Sequence, residues 1–190
     1  MGQLILNIIE ESEVQIIASS AFNFRIELIN KLGKNDLNYI FDISKDLAEI
    51  FDNNFLLNKN NINKYFNENT LPFVARFKGE IIGYIIGVPI EAFESESWAR
   101  YDNNLGKNNT LYTYAYIMNK KYRKIGGYSK TLKKIYINWA KKKHYKYVTG
   151  HVKQGLAKKF GSKTKTVKIF NSWYKSNSAF EYYRRELWKL

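Results

Sequence analysis

Tyr122-Arg123-Lys124-Ile125-Gly126-Gly127-Tyr128-Ser129-Lys130-Thr131-Leu132 is the stretch on which the fold turns. Before it, residues 111–118 read as a strand. Tyr112, Tyr114 and Tyr116 alternate with Leu111, Thr113, Ala115 and Ile117, the period of two that a pleated ribbon imposes. After it the period becomes 3.6: Leu132, Ile135, Tyr136 and Trp139 form one apolar stripe, and Lys130, Lys133, Lys134 and Lys141 to Lys143 fill the rest. An amphipathic helix is therefore predicted over about 126–142, and the quoted residues are the turn that leaves a strand and opens it. At such a junction several backbone N–H groups lack intrahelical acceptors, and the positive end of the helix dipole points at the same spot. The glycines let a ligand approach the backbone with no Cβ in the way, and Arg123 and Lys124 add charge. That combination holds phosphate.

On the N-terminal side, residues 24–32 read as a strand. Leu37, Ile40, Phe41, Leu47 and Ile50 recur at helical spacing over 35–51, with Asn35 and Asp36 as candidate caps. A short helix is expected over 61–66. Residues 71–77 and 81–88 are apolar runs joined by Lys78-Gly79, an antiparallel hairpin. Residues 89–109, carrying Glu91, Glu94, Glu96 and Asp102, are expected to form an acidic excursion outside the core. After the helix come a strand over 145–152, a short helix over 153–160, and strands over 166–173 and 179–187. The order is mixed α/β (α+β) with an antiparallel meander in the middle. Without repeats or Pro-, Gly- or Ser-rich linkers, residues 1–190 are expected to form one domain.

Composition narrows the chemistry. A chain that is 45% hydrophobic and 16% aromatic excludes a disordered polymer. The net charge of +14 divides into −5 for residues 1–110 and +19 for 111–190, so the C-terminal half faces an anion: nucleic acid, an anionic membrane surface or a phosphate-rich substrate. The absence of cysteine removes disulfides, zinc–thiolate sites, iron–sulfur clusters and thiol nucleophiles, and His144 and His151 are too few for a histidine metal cage. No metal is expected. No apolar run approaches the about 20 residues that span a bilayer, and Met1-Gly2-Gln3-Leu4-Ile5-Leu6-Asn7 lacks a basic start and a cleavage site, so a cytoplasmic location with no membrane partner is expected.

The junction resembles the pyrophosphate-binding signature of the GNAT superfamily of acyl-CoA-dependent N-acyltransferases, Arg/Gln-x-x-Gly-x-Gly/Ala between a strand and a helix. Arg123 and Gly126 match, Leu132 falls at an apolar core position of that helix, and Tyr128 stands in the last Gly/Ala position with Gly127 beside it. The hairpin Phe77-Lys78-Gly79-Glu80-Ile81-Ile82-Gly83 and the closing Phe180-Glu181-Tyr182-Tyr183 strand extend the likeness over 24–187. The resemblance implies a GNAT-like fold: a central, mostly antiparallel sheet flanked by helices and splayed between the strand before the signature and the strand after its helix. It implies acetyl-CoA as co-substrate and direct attack of a neutral amine on the thioester.

By the same resemblance, backbone groups of Tyr116, Ile117 and Met118 would pair with pantetheine. Arg123 and the N–H groups of Lys124, Ile125, Gly126, Gly127, Tyr128 and Ser129 would hold the pyrophosphate. Gln154 is nearest the family's pantetheine-contacting Asn, and Phe160 nearest its tyrosine acid, whose proton Phe160 cannot supply. Tyr112 and Tyr114 occupy positions where related enzymes carry a Glu or His base; a tyrosine near pKa 10 is a poor base, so both are expected to act catalytically by ordering a water chain.

Glu91 and Glu94, with Glu96, are expected to draw a cationic amine, small molecule or peptide, to the cleft mouth. His151 reads as a structural histidine. Phe170, Trp173, Tyr174, Phe180, Tyr182 and Tyr183 read as core and acceptor-pocket wall. Two alternatives stay open: a nucleic-acid-binding protein using the basic half, and a GNAT-like protein that binds CoA without turnover. A homodimer is also left open.

Overall fold

The two-residue turn Lys78-Gly79, both at positive φ (51° and 91°), closes the hairpin on which the sheet is built, because that geometry matches the twist of the strands it joins. Its arms are β3 (Leu71–Phe77) and β4 (Glu80–Pro89); before them come β1 (Glu13–Ser20), β2 (Phe24–Lys31), α1 (Lys34–Ala48) and α2 (Ile62–Tyr65). After them follow β5 (Thr110–Met118), α3 (Tyr128–Lys142), β6 (Tyr147–Lys153), β7 (Thr164–Phe170) and β8 (Phe180–Glu186). The structure is a computed structural model and describes residues 9–20, 23–49, 51, 56–67, 69–173 and 178–188. Ile50 and Tyr174 of the sequence reading, and residues 1–7, lie outside that set.

The strands form one sheet in the order β1-β2-β3-β4-β5-β6-β8-β7. Every pairing is antiparallel except β5 with β6, which α3 joins by a crossover. That pair runs in register only from Thr110↔Tyr147 to Thr113↔Gly150, so β5 and β6 part company beyond Thr113. The expected splayed, mostly antiparallel sheet is observed. Among the described residues no helix is long and apolar enough to cross a membrane, and no group of three or more His, Asp or Glu is placed to hold a metal.

One face of the sheet packs Ile26, Phe73, Ile85 and Leu111 against Leu132 and Tyr136 of α3. The other packs Ile29, Val74, Tyr84 and Ile86 against Ile40, Ile43 and Leu47 of α1. A third cluster, Ile90, Trp98, Tyr112, Trp173, Phe180 and Tyr182, fills the end where β5, β6 and β8 meet.

Several expectations are corrected. β1 was not foreseen: its burial is sparse, with Ile16 53% exposed, so no apolar alternation announces it. Neither Asn35 nor Asp36 caps α1. The N-cap is Gly33, where a Cβ would lie 2.4 Å from the Glu11 backbone, and Asp36 is buried in a bidentate pair with Arg76 at 2.7 and 2.8 Å. Residues 89–109 are no mere excursion, since they deliver Ile90, Trp98, Ala99 and Asp102 to the interior. The 153–160 helix shrinks to a 3₁₀ turn, Ala157–Phe160.

The tyrosine stripe of β5 is broken. Ile86 pairs with Ala115 but Gly87 pairs with Thr113, which makes Tyr114 the extra residue of a β-bulge. The bulge shifts the side-chain parity, so Tyr116 joins the α3 face while Tyr112 and Tyr114 face the other clusters.

Candidate functional site

The loop between β5 and α3 passes through three left-handed residues, Lys124 (φ 64°), Gly126 (φ 61°) and Gly127 (φ 66°), before Tyr128 starts the helix. The first helical bond runs from Thr131 N–H to Gly127 O, and the backbone N–H groups of Lys124 to Lys130 donate to no described acceptor. They form the concave, positive end of α3. A Cβ on Gly127 would meet nothing within 4 Å, so its surroundings are open. The ring of Tyr128 packs on Phe24 and Phe77 at centroid distances of 4.8 and 5.2 Å, where its bulk is absorbed by the sheet. Ser129 meets Tyr116 Oη, which ties the first turn of α3 to β5.

Arg123 differs from the expectation. Its Nε donates to Met118 O at 2.7 Å, its Nη2 pairs with Asp46 of α1 at 2.9 Å, and its backbone N–H donates to Lys120 O. The side chain braces the loop instead of reaching into the space before it.

Where β5 and β6 diverge they open a narrow cleft between α3 and the 3₁₀ turn. Tyr116, Tyr136, Lys133, Phe160, Tyr183 and Arg185 are among its walls, and no described carboxylate lines it. Lys133 was assigned to the solvent face of α3, yet the buried face is Leu132, Tyr136, Ile137 and Ala140, and Lys133 lies along it one turn before Ile137. Ile135 and Trp139 sit at its half-buried margin. The residues that would have revealed this in the sequence are Ile137 and Ala140, which rotate the stripe toward Lys133. Burial, with Arg185 nearby, lowers the Lys133 pKa to about 8. Gln154 is exposed and outside the cleft lining; its N–H donates to Ala179 O.

On the other side of β5 lies a second, roomier pocket, walled by Tyr65, Phe93, Trp98, Tyr112, Tyr114 and Trp173, with Glu96 also lining it. Tyr114 borders both spaces, stacks on Tyr65 at 4.5 Å and donates to the Tyr65 hydroxyl at 2.8 Å. Tyr112 Oη and His151 Nδ1 share a 2.9 Å hydrogen bond, with the tautomer deciding which donates. This pair links the pocket that Tyr112 lines to the cleft that His151 lines. His151 stacks on Trp173 at 3.5 Å, and burial drives its pKa well below 6.5, so it is neutral at physiological pH. His151 Nε2 and the neighbouring Trp98 Nε1 are buried with no hydrogen-bond partner among the described residues. Because 39 residues separate His151 from Tyr112, their contact leaves no mark in the sequence.

Glu91 and Glu94 are not assembled at this pocket. Glu91 Oε1 accepts from Asn108 N–H at 2.9 Å and fastens the 89–109 segment, and Glu94 is exposed outside the pocket lining; Glu96 alone of the three reaches it. Trp173, Phe180 and Tyr182 are core, as expected, and Trp173 also walls the pocket.

No protein-family model matches the chain, and no curated protein matches it. Among solved structures it is similar to the ribosomal-protein-S18-alanine N-acetyltransferase of Escherichia coli, with TM-score 0.62 and 12% identity over 88% of this chain and 96% of that one. It is also similar to Ard1 of Thermoplasma volcanium, with TM-score 0.60 and 13% identity over 88% and 99%. A GNAT-family acetyltransferase of Elizabethkingia anophelis with acetyl-CoA bound gives TM-score 0.56 and 18% identity over 86% and 98%.

Proposed function

We propose that this chain, whose fold is that of the GNAT acyltransferases, transfers an acyl group, acetyl in the first instance, from coenzyme A to a primary amine. The observation that carries the reading is the opening of the sheet after Thr113 beside a helix start whose N–H groups from Lys124 to Lys130 meet no described acceptor. An elongated donor with a pyrophosphate suits that arrangement. Its diphosphate meets the amides of the β5–α3 loop, and its arm follows the backbone of Tyr114 to Met118 where β6 no longer pairs with β5. The thioester then reaches the bulge at Tyr114, where cleft and pocket adjoin.

The acceptor enters through the aromatic pocket. Rings with negative faces and the carboxylate of Glu96 favour a cation in its mouth, and the neutral form of the amine is the nucleophile. The hydrogen-bonded pair Tyr112–His151 stands beside the pocket as the route for the proton that the attacking nitrogen sheds. Because His151 is neutral, its ring accepts or relays without first losing a proton. The pocket is roomier than the cleft and suits a peptide N-terminus or side chain as well as a small amine.

Acetyl-CoA at 100 times its Kd is expected to stabilise the protein by about 2.7 kcal/mol, read as a rise in Tm. Release of free thiol from acetyl-CoA should depend on an added amine, with short peptides, polyamines and aromatic amines as the first panel. No thermal response to acetyl-CoA, together with no amine-dependent thiol release, refutes the reading.

A further inference from the structure

Lys133 is the one lysine of α3 that turns into the cleft. Lys130, Lys134 and Lys142 are exposed on the same helix, whereas Lys133 Nζ lies 3.6 Å from the centroid of the Phe160 ring and 5.7 Å from that of Tyr116. No described carboxylate pairs with it. The charged and titratable groups that line the cleft with it are Arg185 and Tyr183 from β8, Tyr114 and Tyr116 from β5, His151 from β6 and Tyr136 from α3 itself. A half-buried ammonium held by ring faces, with a second cation close by and no described carboxylate lining the cleft, is arranged for an anion that forms or arrives there.

We propose that Lys133 donates the proton to the departing sulfur of the acyl donor, which rests on the acyl-transfer reading above. The amine lone pair forms the C–N bond to the thioester carbonyl carbon, and the tetrahedral adduct collapses by breaking the C–S bond. The electron pair of that bond passes to sulfur, and a proton from Lys133 Nζ joins it, which yields the free thiol and a neutral lysine. The acceptor nitrogen loses its own proton on the Tyr112–His151 side, and solvent recharges Lys133. Phe160 has no proton to give, and its ring carries the group that does.

The surrounding chemistry agrees. Burial raises the pKa of Tyr116, Tyr136 and Tyr183, the last to about 12, and lowers that of His151, so Lys133 at about 8 is the group among these that changes charge just above neutrality. A donor near 8 is matched to a thiol of pKa about 8.5.

The test compares the wild type with Lys133→Met and Lys133→Arg. Wild-type kcat should fall above about pH 8; Lys133→Met should lower kcat by about 10²-fold, lose that alkaline limb and leave KM for acetyl-CoA within about threefold. Lys133→Arg keeps the charge but holds its proton too tightly, so it should bind CoA like the wild type and remain slow. A turnover-free readout is the ultraviolet absorption of the CoA thiolate, which should appear at lower pH on the wild type than in free solution and revert in Lys133→Met. If the wild type turns over and Lys133→Met matches its kcat and pH profile, or loses only KM, the Lys133 assignment is overturned and acyl transfer stands. If the wild type neither binds acetyl-CoA nor releases thiol, both fall.

Discussion

His151 and Lys133 line the same cleft, and burial lowers the pKa of each, yet the consequences for stability appear at opposite ends of the pH scale. Below pH 6.5 the unfolded chain protonates its histidine while the native ring stays neutral, so acid favours unfolding. His151→Phe keeps a ring against Trp173 and is expected to flatten the fall of Tm between about pH 6.5 and 5. For Lys133 the native value is about 8 against 10.5 unperturbed, so between those values the unfolded chain holds the extra proton and stability rises with pH. Lys133→Met should therefore be more stable than the wild type at pH 7 by roughly 1–3 kcal/mol, with the advantage gone above about pH 10.5. Thermal melts of both proteins across that range check it, and a wild type no less stable than Lys133→Met at pH 7 would refute it. Charge alone announces the placement of neither side chain: Lys133 stands out only when Ile137 and Ala140 are added to the α3 stripe, and His151 meets Tyr112 and Trp173 only once β5 and β6 are paired.

At the scale of elements, the start of α1 is held by buried charge in place of a cap. Arg76 of β3 spans Asp36 in two hydrogen bonds and Glu27 of β2 in a third at 2.9 Å, and Ser12 donates to Asp36 at 2.7 Å while accepting from Gly33 N–H. Asp36→Ala leaves the Arg76 guanidinium with one carboxylate fewer in a setting where its side chain is 11% exposed. A loss of about 3–5 kcal/mol is expected, measured by urea denaturation, and Asp36→Asn should recover part of it because an amide still accepts one bond. Where periodicity was strong, as in β3, β4 and α3, the sequence reading found the elements to within two residues. It missed β1, an edge strand with few buried side chains, and the bulge at Tyr114, because an extra backbone residue leaves no mark in the side-chain pattern. The signature loop was read correctly as a turn with exposed amides; the bracing role of Arg123 depends on Asp46, 77 residues earlier, and on the fold that brings α1 beside it.

For the whole molecule, the split of −5 and +19 was legible from composition, but its physical use was not, because it depends on which strands end up at the sheet edges. The proposed donor site lies at the start of α3, whereas β7 forms one border of the sheet with Lys165 and Lys168 exposed on it and Lys163 just before it. An unpaired edge invites pairing with a second chain, and lysines there oppose it by mutual repulsion. Part of the positive surplus is therefore expected to serve solubility, and acyl-donor binding should not need it. Replacing Lys163, Lys165 and Lys168 together by Gln is expected to leave the Kd for acetyl-CoA within about twofold, since the screening length at physiological salt is about 8 Å. The same variant should associate as protein concentration rises, seen by sedimentation velocity, and the wild type should approach that behaviour in high salt, where screening removes the repulsion. A variant that stays monodisperse while its acetyl-CoA Kd weakens more than tenfold would assign these lysines to the donor, and would require the bound donor to extend from the start of α3 to β7.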